Sequence, residues 1–210
     1  MMWGEVGIYA GVAVCFVCAC LRGLMKIDPQ HGMHFTRKNY VVLCLASFIG
    51  VLVWLPLAGA FTENRLLWMV LHVYFLCCSC TDYLTCQVYD VFQYVGLAAS
   101  SVLLFKGEAD IWIGFSVLLF ALLQYFLFMK LYGAADGMAF LVAALAEASL
   151  GCDMTGYLLH MILAYLMLSL CQITKGNIGR KGTLKTPVPF LPYIMVSFWI
   201  LLRLHYAGLV

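Results

Sequence analysis

Residues 66–90 read LLWMVLHVYFLCCSCTDYLTCQVYD. From Leu66 to Thr81 no Asp, Glu, Lys or Arg interrupts an apolar run, and the run then meets Asp82 directly. Such a stretch satisfies its backbone polar groups in lipid only as a helix, because lipid offers them no partners. Runs of the same character recur at 6–22, 40–60, 91–105, 111–131, 137–150, 157–173 and 190–208. The chain is 65% hydrophobic and 10% charged, whereas soluble domains carry about 25% charged residues. The expected fold is all-α: a polytopic integral membrane bundle of about eight transmembrane helices, with several runs short of the roughly 20 residues of a perpendicular span. The connecting stretches are too short for a second domain, so residues 1–210 read as one membrane-embedded unit. The first run has Glu5 ahead of it and its basic residues behind it, which predicts a retained span rather than a cleaved signal.

Lysine and arginine placement predicts the orientation. Arg22, Lys26, Arg37, Lys38, Lys130, Lys175, Arg180, Lys181 and Lys185 fall in odd-numbered loops, leaving Arg65, Lys106 and Arg203 for the other side. Basic residues favour the cytoplasm. The odd loops are therefore expected inside and both termini outside, which puts the stretches 81–90 and 130–136 at the cytoplasmic face.

Both of those stretches carry an aspartate. Asp82 closes the third run, and Asp136 opens the sixth within YGAADGMAF at 132–140. Carboxylates at membrane depth are costly and seldom kept without a role. A helix-capping aspartate explains either one alone, since a first-turn carboxylate suits the helix dipole. Together they suggest more. Two carboxyl groups brought close do not both ionise easily, so one holds a proton while the other acts as base. Gly133, Ala134 and Ala135 carry little bulk and predict close approach of a helix or an extended peptide.

These residues resemble the type IV prepilin peptidases and the related archaeal preflagellin peptidases. That family has one aspartate in a D-x5-I-P-N-like segment and a second in G-x-G-D. Asp82 matches the first, with Val88, Tyr89 and Asp90 in place of I-P-N; Gly133-Ala134-Ala135-Asp136 matches the second, with Ala135 for the second glycine. Met138 stands where the family often has a lysine. Thr186-Pro187-Val188-Pro189-Phe190-Leu191-Pro192-Tyr193 is similar to the P-F-x-P segment that opens the family's last helix. The resemblance runs from about residue 66 to the C-terminus. It implies a peptidase-only form, without the paired C-x-x-C zinc insert of larger members. It further implies catalysis by Asp82 and Asp136, with Gly133, Ala134, Ala135, Asp90, Pro189, Phe190 and Pro192 on the substrate side. The implied substrates are prepilin-like or pseudopilin-like precursors, cut at the cytoplasmic face of a bacterial or archaeal plasma membrane, without cofactor or metal.

Two other readings stand beside this one. Tyr89-Asp90 looks like the Y-D pair of the presenilin and signal-peptide-peptidase group, in which case Asp90 replaces Asp82. Alternatively, the aspartates bind a cation or cap helices in a non-catalytic scaffold or transporter. Glu147, eleven residues past Asp136, is expected on the same helical face but near the far membrane surface. His72 and His160 are expected to bond neighbouring helices. His31, His34 and Asp28 share a polar loop as a weak metal trio. The ten cysteines read as packing residues rather than zinc ligands. Nothing in the chain reads as a phosphate loop, a nucleic-acid patch or a serine–histidine dyad.

Overall fold

The computed structural model describes residues 2–27, 36–57, 62–107, 110–174 and 188–209. The described residues form an all-helical chain without strands. In order the helices are α1 (Met2–Ile27), α2 (Arg37–Leu57), α3 (Thr62–Thr85), α4 (Asp90–Lys106), α5 (Ile111–Tyr132), α6 (Ala134–Ser149), α7 (Met154–Thr174) and α8 (Leu191–Tyr206). Each coincides with one of the apolar runs. Four stretches, Trp3–Ile27, Arg37–Leu57, Asn64–Thr85 and Met154–Thr174, are long and apolar enough to cross a membrane. By contrast α4, α6 and α8 have 17, 16 and 16 residues, below the roughly 20 of a full span.

Two helices organise the packing. α3 lies against α1, α2, α4 and α8, and α6 lies against α4, α5, α7 and α8. α4 and α8 therefore touch both hubs. α6 suits its central place because more than half of its residues are Ala, Gly or Ser, and every residue from Ala139 to Ser149 is buried. Small side chains let neighbouring backbones close on a helix from all sides. The outer faces are apolar: Phe16 on α1, Val42 and Ile49 on α2, Phe115 on α5 and Ile162 on α7 are all exposed.

α3 runs further than its hydropathy indicates. The apolar run ends at Thr81, yet the helix continues to Thr85. Thr81 and Thr85 donate their hydroxyls back to the carbonyls of Cys77 and Thr81, at 3.0 and 2.7 Å, and the Cys86 N–H still bonds the Asp82 carbonyl at 2.8 Å. The turn closes at Cys86, whose φ of 52° lies in the left-handed region that usually terminates a helix with glycine. Asp82 thus sits one turn inside α3, where a loop had been expected.

Candidate active site

The end of α3 meets the start of α8. α8 opens after Phe190 without a side-chain cap from its own segment, and with a proline in its first turn. The first amides of a helix lack internal acceptors. One of them, the Leu191 N–H, donates to Asp82 Oδ2 at 2.9 Å across 109 residues of chain. Asp82 is buried and stands at a helix N-terminus, a place that favours negative charge.

Asp136 lies in the first turn of α6 and is half-buried. The chain enters α6 through Gly133, whose φ of 108° and ψ of 149° no ordinary residue adopts comfortably. A Cβ at Gly133 would stand 3.7 Å from Asp136 Oδ2, so the glycine leaves the carboxyl's near side open. The carboxyl groups of Asp136 and Asp82 lie close enough to interact electrostatically. The C-terminal turn of α3 and the first turn of α6 therefore bring the two aspartates within electrostatic reach of each other. Two carboxyls within electrostatic reach disfavour joint ionisation, the property on which water activation by such a pair depends.

The remaining substrate-side candidates divide. Gly133, Ala134 and Asp90 are exposed, while Ala135, Pro189 and Pro192 are half-buried. Asp90 stands in the first turn of α4, facing out. Phe190 is buried, its ring packed between Phe140 and Tyr165 at centroid distances of 5.8 and 5.0 Å. That anchoring fixes the amide of Leu191 beneath Asp82, a role carried by backbone and core packing. Thr186, Pro187, the trio Asp28, His31 and His34, and the basic stretch from Lys175 to Lys185 lie outside the described residues.

Glu147 lies in the last turn of α6, at the end opposite Asp136. It is fully buried within the bundle and pairs with His160, Oε1 to Nδ1, at 2.6 Å. His160 Nε2 reaches the Ile194 carbonyl at 3.1 Å, so this pair joins α6, α7 and α8. His72 contacts the hydroxyl of Ser47 at 3.4 Å, and Ser47 in turn donates to the Ala10 carbonyl. All ten cysteines are free. Among the described residues, no cluster of three His, Cys, Asp or Glu side chains is arranged to hold a metal ion.

Tyr74, Cys78 and Gln93 lie near the aspartates and carry no motif. Tyr74 and Cys78 precede Asp82 at four-residue spacing and so share one face of α3 with it. Tyr74 bonds Gln93 on α4, and Gln93 bonds α6 beside Asp136. A buried amide in an apolar run was the available signal for Gln93.

Comparison with family models, with curated proteins and with solved structures returns no match.

Proposed function

We propose that this chain is an integral membrane aspartic endopeptidase that removes the leader of prepilin-like precursors at the cytoplasmic face of a bacterial or archaeal membrane. The observation that carries the reading is that Asp82 in the last turn of α3 and Asp136 in the first turn of α6 lie within electrostatic reach of each other. The apolar outer faces and four span-length helices support a bilayer setting. The basic bias of the odd loops supports an inward-facing site.

The chemistry follows from the pair. One carboxylate takes a proton from a water held between the two side chains as the water oxygen bonds to the scissile carbonyl carbon. The other, protonated, donates to the carbonyl oxygen as negative charge develops there. Collapse of the tetrahedral intermediate breaks the C–N bond, the departing nitrogen takes a proton from the pair, and a carboxylate and an amine leave. The Leu191 N–H at Asp82 stabilises negative charge on that carboxyl, which casts Asp82 as base and Asp136 as acid. A precursor with a polar leader and an apolar helix presents its scissile bond at the membrane boundary, the depth of this pair. The exposure of Asp90 favours Asp82 over Asp90 as first aspartate.

Co-expression with a precursor of that design tests the reading. Wild type should shorten it, Asp82→Asn and Asp136→Asn should leave it intact, and Asp90→Asn should still shorten it. Processing that survives Asp82→Asn but stops in Asp90→Asn would transfer the role to Asp90.

A further inference from the structure

Tyr74 donates its hydroxyl to Gln93 Oε1 at 2.8 Å, and Gln93 Nε2 donates to the Ala135 carbonyl at 3.4 Å. Tyr74 and Gln93 are both buried. The acceptor belongs to the residue directly before Asp136, in a first turn whose entry residue, Gly133, provides no side-chain cap. Tyr74 is two helical turns from Asp82 on the same face of α3 and within electrostatic reach of Asp136. Space for its ring comes from Gly96, one turn beyond Gln93: a Cβ at that glycine would stand 2.7 Å from the ring. The notch and the amide thus occupy one face of α4, turned toward both hubs.

The geometry points to Tyr74 and Gln93 as positioning residues that set where Asp136 stands relative to Asp82. This rests on the aspartic endopeptidase reading. The direction of the relay is fixed by its donors. Tyr74 gives its proton to the amide oxygen, so the amide nitrogen is left facing Ala135, where only a donor serves. The chain Tyr74–Gln93–Ala135 ties the helix of one carboxylate to the first turn that carries the other. A water-activating pair depends on its spacing, and a displacement of about 1 Å at such a site can cost on the order of a hundredfold in rate.

Gln93→Glu isolates the claim. It keeps the shape and still accepts from Tyr74, but at a pH where the carboxyl is ionised it sets a carboxylate oxygen against the Ala135 carbonyl in place of a donor. Tyr74→Phe removes one oxygen and leaves the ring in its notch, and Gln93→Met removes both bonds. The experiment measures kcat, KM and thermal midpoint on detergent-purified protein, with a peptide that joins a polar leader to an apolar helix. Gln93→Glu should lower kcat at least about tenfold with KM unchanged when assayed well below its own thermal midpoint, which the buried carboxyl lowers. Tyr74→Phe added to Gln93→Met should lower kcat no further than Gln93→Met alone, because both act through one amide. A folded Gln93→Glu at wild-type kcat, additive effects in the double variant, or losses that track the thermal midpoint would overturn the positioning role. A wild type that leaves the peptide intact would overturn the endopeptidase reading and this inference with it.

Discussion

Removing His160 should destabilise the bundle more than removing its partner Glu147. Both side chains are fully buried, with Nδ1 and Oε1 2.6 Å apart. His160 Nε2 faces the Ile194 carbonyl, and a carbonyl only accepts, so Nε2 carries a proton. One proton is then left for the contact between Nδ1 and Oε1. Whichever partner holds it, the pair is neutral overall, which explains how an acid and a base coexist in this core. Glu147 Oε2 has no hydrogen-bond partner, so the carboxyl depends on His160 alone. His160→Leu leaves that carboxyl without any partner, a loss of about 3–5 kcal/mol for a broken buried pair. At roughly 2–4 °C per kcal/mol for a chain of this size, the midpoint should fall by about 6–20 °C. Glu147→Leu strands only the neutral Nδ1 acceptor, about 1–3 kcal/mol. Glu147→Gln restores a donor to Nδ1 and should cost about 1 kcal/mol. The double Glu147→Leu, His160→Leu variant should be more stable than His160→Leu alone, since it leaves no stranded carboxyl. Denaturant or thermal unfolding in one detergent ranks all four. Equal losses for Glu147→Gln and His160→Leu, or a wild-type midpoint for His160→Leu, would refute the shared-proton account.

Gly133→Ala should lose about 1–3 kcal/mol, because φ of 108° at that residue strains any side chain; an unchanged unfolding midpoint would show that the entry to α6 relaxes freely. Gly107→Ala should lose a similar 1–3 kcal/mol by overpacking, since its Cβ would meet the Ser149 backbone oxygen at 2.3 Å, and the same unfolding assay checks it. Cys86 is exposed in the turn after α3, so an impermeant thiol reagent should label it in inside-out vesicles. Labelling of Cys86 in intact cells would reverse the proposed orientation.

The helices were legible because most apolar runs are bounded by charged, glycine or small polar residues, and α1 to α8 follow those runs closely. The end of α3 was not. Its last turn is held by Thr81 and Thr85 hydroxyls, and hydropathy stops the run at Thr81. The placement of Asp82 depends on the Leu191 amide, a partner 109 residues away that no local pattern announces. Glu147 was read by its distance along one helix, yet its environment comes from His160 on α7. Tyr74 and Gln93 belong to no motif, and their meaning appears only where α3, α4 and α6 come together.

The central claim is that Asp82 and Asp136 form one catalytic unit, and product mass measures it most directly. Purified protein is incubated with a peptide that joins a polar leader to an apolar helix, and the fragments are weighed. Wild type should yield a single cut at the junction of leader and helix, while Asp82→Asn and Asp136→Asn, each unfolding at the wild-type midpoint, should yield none. Cleavage by either folded variant at the wild-type rate, or an intact peptide after incubation with wild type, would contradict the account.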